Sequence, residues 1–136
     1  MIKVTKSHTF ACKQEVLWNI ITNNEDYSWR SDLSNIKIVD SSHFIEFTKK
    51  NYPTYFTITK KEPYSLYAFT MENTNIKGNW YGYLKQNKNK QTTITLTEEI
   101  EVHNFIMKLF SKIYLKNQQK KYIQDLEYKL KEKDEI

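Results

Sequence analysis

From residue 35 onward, apolar and polar positions alternate in six runs: 35–40, 43–49, 54–61, 64–73, 76–86 and 91–102. Successive side chains of a strand point to opposite faces, so each run predicts a strand. Residues 2–10 predict a seventh, ahead of the others. Short polar stretches separate the runs. Asp40-Ser41-Ser42 predicts a tight turn, and Asn51-Tyr52-Pro53 and Glu62-Pro63 use proline to block pairing. Asn73-Thr74-Asn75 and Asn87-Lys88-Asn89 supply side chains that tolerate left-handed backbone. Connections this short between consecutive strands predict an antiparallel meander.

Two stretches carry a helical period instead. In residues 13–22, Val16, Leu17, Ile20 and Ile21 share one face, and Asn23, Asn24, Glu25 and Asp26 end the pattern. A second short helix or turn follows through Tyr27, Trp29 and Leu33. Residues 104–133 predict one long helix of roughly 45 Å, with Asn104 as its N-cap. The chain therefore reads as α+β: a seven-stranded antiparallel sheet, two short helices between the first two strands, and a long C-terminal helix.

Alternation also sorts the faces. Ile76, Gly78, Trp80, Gly82 and Leu84 fall on one side of their strand. Ile94, Leu96, Glu98, Ile100 and Val102 oppose a solvated set of Thr93, Thr95, Thr97, Glu99 and Glu101. Phe56 and Ile58 share a face, as do Tyr67, Phe69 and Met71. Glu98 is out of place in its apolar row, because an unpaired buried carboxylate is costly. It is either turned outward by a bulge, or buried with a polar partner, or set in a wet or ligand-filled cavity. In the long helix, Phe105, Ile106, Leu109, Phe110 and Ile113 form an apolar face, and Ile123, Leu126 and Leu130 anchor the second half. Between them the stripe expected to face the sheet holds Lys116, Asn117 and Lys120. A helix crossing a polar-lined cavity would lose its apolar stripe there, and so would one that projects past the sheet edge. The candidate pocket residues are Trp29, Phe56, Tyr67, Phe69, Trp80, Glu98, Leu109, Ile113 and Lys116, with Glu98 as the one candidate for catalysis.

At 136 residues the chain has the length of one domain, taken as residues 1–136. Cys12 is alone, so no internal disulfide can form, and a reducing compartment is expected. The N-terminus lacks a signal-peptide pattern and no run reaches the roughly 20 apolar residues of a membrane span, so a soluble, cytoplasmic protein is expected. The net charge is +5, but a single residue of the 21 basic ones, Arg30, is arginine. Arginine makes the forked contacts that read phosphate and guanine, and the lysines look scattered, so no nucleic-acid partner is expected. His8, His43 and His103 are far apart in sequence, which argues against a metal site. The two glycines, Gly78 and Gly82, both fall in a strand, so there is no phosphate loop and no nucleotide cofactor is expected. Phe, Trp and Tyr make up 15% of the chain, and such residues line small-molecule pockets as well as cores.

Glu15-Val16-Leu17-Trp18, Tyr27-Ser28-Trp29, Gly78-Asn79-Trp80-Tyr81-Gly82, Thr92 to Ile100 and the Asn104 helix start follow one another in an order that resembles the SRPBCC superfamily. That superfamily includes START-like domains and the polyketide cyclase/dehydrase family. The resemblance covers essentially the whole chain. It implies a helix-grip fold, a curved sheet around the long helix with a mostly apolar cavity between them. It also implies ligands such as lipids, polyketides, isoprenoid quinones or plant-hormone-like molecules. No catalytic signature carries over. The expected function is binding of a small hydrophobic or amphipathic molecule, by a monomer or homodimer. The alternatives are a cyclase or dehydratase using a pocket carboxylate, and a protein that acts through its surface.

Overall fold

The structure, a computed structural model, describes every residue from Met1 to Ile136. The elements are β1 (Ile2–Phe10), α1 (Gln14–Thr22), β2 (Leu33–Ile38), β3 (His43–Thr48), β4 (Pro53–Glu62), β5 (Leu66–Glu72), β6 (Ile76–Gln86), β7 (Thr92–Val102) and α2 (Phe105–Glu132). All seven strands form one antiparallel sheet in the order β1-β7-β6-β5-β4-β3-β2. The six later strands are a plain meander, and β1 returns to pair with the last of them.

Turn chemistry sets the connections. The Asp40 carboxylate accepts from the backbone N–H groups of Ser42 and His43, which closes the β2–β3 hairpin. Pro63 and Tyr64 form the β4–β5 turn, with Tyr64 at φ 71° and Ser65 N donating to the Glu62 carbonyl at 3.1 Å. A left-handed residue cannot continue a strand, so β5 begins at Leu66 rather than at residue 64. Register shifts at Leu33/Asn35 and Ile58/Lys60 are bulges, which bend their strands.

The interior rows of β6 and β7 fall as the alternation predicts. Trp80, Gly82, Leu84, Ile94, Leu96 and Ile100 are buried. Thr93, Thr95 and Thr97 sit on the other face, where their hydroxyls pair with Thr9, Ser7 and Thr5 of β1. Gly82 is needed because the outer edge of the Trp80 ring lies against it. A Cβ at residue 82 would stand 2.7 Å from that ring, which is stacked on Phe69 at 4.7 Å and cannot swing aside freely. Gly82→Ala is therefore expected to lower the unfolding free energy by about 1–3 kcal/mol. Urea denaturation reads the loss, and near-UV circular dichroism reads the displaced indole.

Two expectations need correction. There is one helix between β1 and β2, not two. The Asp26 side chain accepts from the Ser28 hydroxyl at 2.8 Å and Trp29 Nε1 donates to the Asp26 carbonyl at 3.1 Å. These local bonds hold residues 24–32 in turns instead of a helix. The second correction concerns which way α2 faces. Asn104 caps it as expected, its side chain accepting from Ile106 N and Met107 N. Its buried residues, however, are Leu115, Gln119, Ile123, Leu126 and Leu130, a stripe of three- and four-residue steps that packs across β1 and β7. Phe105, Ile106, Leu109, Phe110 and Ile113 point away from the sheet and are all more than 60% exposed. Gln119 occupies the position expected for Lys116, Asn117 or Lys120; all three of those are exposed.

Candidate functional site

Between the sheet and α2 lies a cavity of about 320 Å³. The strands supply its apolar wall. Phe44 and Phe56 stack at 4.8 Å, Phe69 and Trp80 stack at 4.7 Å, and the Phe69 ring stands edge-to-face against the first pair. These rings come from neighbouring positions on β3, β4, β5 and β6: Phe44 opposes Phe56, and Phe69 opposes Trp80. Cross-strand aromatic pairs of this kind stabilise the sheet as they line the space.

Polar groups from several elements complete the lining. Arg30, in the connection before β2, binds both Asp32 carboxylate oxygens at 3.1 Å through Nε and Nη2. It also reaches the Glu46 carboxylate of β3 at 3.4 and 3.5 Å. Its guanidinium lies 5.2 Å from the centre of the Tyr122 ring, which is braced by Trp29 and Trp80. Burial opposes the Arg30 charge, but Glu46 and Asp32 more than offset it and keep the guanidinium protonated. Burial also pushes the Glu46 carboxyl up, against the pull of Arg30. A third polar group is Tyr67, whose hydroxyl accepts from the Asn24 amide at 3.2 Å.

Glu98 faces inward. It is 9% exposed, lines the cavity and opposes Trp80 on one side and Val4 on the other. No bulge turns it out. Burial pushes its pKa up to about 7, with Gln119 lowering it and Glu46 raising it further. Gln119 comes from α2. Its Nε2 donates to the Val4 carbonyl at 3.0 Å, and its Oε1 is the one buried side-chain polar atom without a partner. A ligand hydroxyl or amide in the cavity can donate to this oxygen. A carboxyl that titrates near neutrality inside a cavity can exchange a proton with a bound molecule.

Of the nine sequence candidates, Phe56, Tyr67, Phe69, Trp80 and Glu98 line this one space. Leu109, Ile113 and Lys116 lie outside it, on the exposed side of α2. Trp29 is half-buried behind Tyr122, at 5.4 Å between ring centres, and does not reach the cavity. Arg30, Asp32, Glu46, Gln119 and Tyr122 also line the cavity, and none of them is among the nine. Glu46 is open to the same test as Glu98: it stands two residues after Phe44 and shares its inward face.

The sequence matches no family model and no curated protein. Solved structures do match. A START superfamily protein from Mycobacterium smegmatis superimposes with a TM-score of 0.87 at 12% identity, over 96% of this chain and 97% of that one. A conserved protein from Geobacillus kaustophilus gives 0.85 at 10% identity, over 96% of each chain. The Zhui aromatase/cyclase from a Streptomyces species gives 0.82 at 7% identity, over 92% of this chain and 90% of that one. Likeness at such low identity carries the architecture alone: the chain shares the helix-grip fold of these structures.

Proposed function

We propose that this START-like domain binds one compact amphipathic molecule, with rings or a short chain against the aromatic wall and a hydrogen-bonding end toward Glu98 and Gln119. The observation that carries the reading is the cavity itself, with stacked Phe and Trp rings on one side and an unpartnered acceptor on the other. Its size supports a small guest. About 320 Å³ is at the low end of the roughly 300–1,000 Å³ of small-molecule sites, so a two-chain lipid would leave most of its hydrocarbon outside. The aromatase/cyclase neighbour makes phenolic and polycyclic molecules a sensible first panel.

Thermal melts with a panel of phenols, quinones, fatty acids and aromatic polyketides test the idea. A true ligand at a hundredfold excess over its Kd stabilises the domain by about 2.7 kcal/mol. Leu115→Trp, which adds an indole to the cavity wall, is expected to abolish that shift. Shifts that survive the blocking substitution, or a panel without any shift, count against the proposal.

A second reading is favoured by the Glu98 carboxyl, whose pKa is pushed up to about 7. Glu98 would act as general acid or base in a cyclase- or dehydratase-type reaction of the bound molecule. Glu98→Gln would then retain ligand binding and lose turnover by about 10²–10⁴-fold. Unchanged turnover in that variant would remove the enzymatic reading and leave the binding one intact.

A further inference from the structure

The part of α2 that points away from the sheet is apolar on a scale unusual for a face in contact with water. Phe105, Ile106, Leu109, Phe110 and Ile113 are 76, 68, 66, 64 and 63% exposed. At 100° per residue they cover one arc of roughly 140°. Lys108, Lys112 and Lys116, spaced by four, form a row along one border of that arc, so these lysines are not scattered. From Val102 to Gln124 the chain carries five lysines and no Asp or Glu. Met107 and Tyr114 line the cavity and remain 40% and 61% exposed, so the cavity opens to the surface along this same half of the helix. No helix of the chain is long and apolar enough to cross a membrane, so this one would lie on a bilayer rather than span it.

A second copy of the chain fits the face poorly. A two-fold partner would bring the same lysines and no carboxylate from this stretch to answer them. An anionic bilayer answers both features, because acyl chains take up the apolar arc and headgroups take the lysine row. We propose that the first three turns of α2, from Phe105 to Lys116, dock this protein on anionic lipid bilayers with the mouth of the cavity at the lipid surface. The docking surface stands independently of what the cavity holds; only the route of a guest from bilayer to cavity rests on the small-molecule reading.

Co-sedimentation of the full chain with two kinds of vesicle tests this. One is phosphatidylcholine alone and the other phosphatidylcholine mixed with phosphatidylglycerol. Binding is expected to the mixed vesicles, and to fall as salt rises from about 0.1 M to about 0.5 M. Exchanging Lys108, Lys112 and Lys116 together for Gln is expected to weaken the partition on the order of a hundredfold. Leu109→Asp is expected to weaken it by at least about tenfold. Both variants change only exposed side chains, and unchanged melting confirms the fold; if Leu109→Asp alone melts early, the lysine variant decides. Equal partition of wild type and lysine variant overturns the proposal, as does failure of the wild type to bind the mixed vesicles. A concentration-dependent dimer that Leu109→Asp dissociates, without vesicle binding, would assign the face to a second copy instead. None of these outcomes depends on a cavity ligand, so the small-molecule reading survives or fails separately.

Discussion

Arg30→Ala is expected to lower the unfolding free energy by about 3–5 kcal/mol, measured by urea denaturation at neutral pH. Arg30 is the one basic side chain among the residues that line the cavity. Its guanidinium holds Asp32 at 3.1 Å and Glu46 at 3.4 Å, with the three side chains only 14–23% exposed. Truncation leaves two carboxylates facing one another in a poorly solvated space. Burial already raises the Glu46 pKa, and Arg30 is what opposes that rise. In the variant, Glu46 must either take up a proton or remain charged without a partner, and either course destabilises the fold. The second substitution Glu46→Gln removes one of the orphaned charges, so the double variant is expected to regain about 1–2 kcal/mol. Arg30→Lys should regain little, because lysine lacks the planar fork that spans Asp32 and the flat surface that covers Tyr122. A loss within about 0.5 kcal/mol, the range of an ordinary surface change, would show that solvent in the cavity already screens the carboxylates.

The contrast between sheet and helix shows what can be read from the sequence. Strand alternation has a period of two, so a face assignment made anywhere in a strand holds along it until a bulge intervenes. Phe56, Phe69, Trp80 and Glu98 all lie in unbulged stretches. Alternation alone therefore puts Trp80, Glu98 and the Phe56 and Phe69 rings on the inward face that they occupy in the fold. Glu46 and Arg30 are within reach of similar logic. Glu46 follows Phe44 by two in β3, and Arg30 is the sole arginine in a lysine-rich chain. What the sequence does not state is that these residues meet, because the contact joins a turn to a strand 16 residues away. The reversed face of α2 has a different cause. Phe105 to Ile113 is the stronger apolar stripe, but strength does not set direction. Ile113 and Leu126 are separated by about 140° around the helix at 100° per residue, so both cannot face one sheet. The stripe that holds its phase through Leu115, Gln119, Ile123, Leu126 and Leu130 is the one that packs, and its polar member hides it from a search for apolar positions. The sheet-facing stripe thus turns polar where it crosses the cavity, through Gln119 rather than the lysines.

Glu98→Gln should stabilise the protein in a way that depends on pH. Glu98 has a folded-state pKa of about 7 against its ordinary 4.5, chiefly because of burial. The folded chain thus holds this proton more tightly than the unfolded chain. The benefit of the proton is full below pH 4.5, fades as pH rises, and is gone above about 7. At about 1.4 kcal/mol for each pH unit between the two values, the wild type forfeits about 3 kcal/mol across that window. Glutamine keeps the shape of the protonated acid and does not titrate, so it carries no charge into the buried site at any pH. The two proteins should therefore melt together near pH 4. By pH 7 the variant should melt on the order of 10 °C higher, given the unfolding entropy typical of a chain this long. Asp26 and Asp40, whose pKa values are lowered chiefly by their hydrogen bonds with Ser28 and Ser42, pull the wild-type curve the other way at low pH. They do so equally in both proteins, so the difference between the two melting curves isolates Glu98. A difference that stays flat from pH 4 to 8 would mean that solvent reaches this carboxylate freely, and the acid–base role would fall with it. A difference that opens across the expected window would mark Glu98 as a group that changes protonation near neutral pH within reach of whatever the cavity holds.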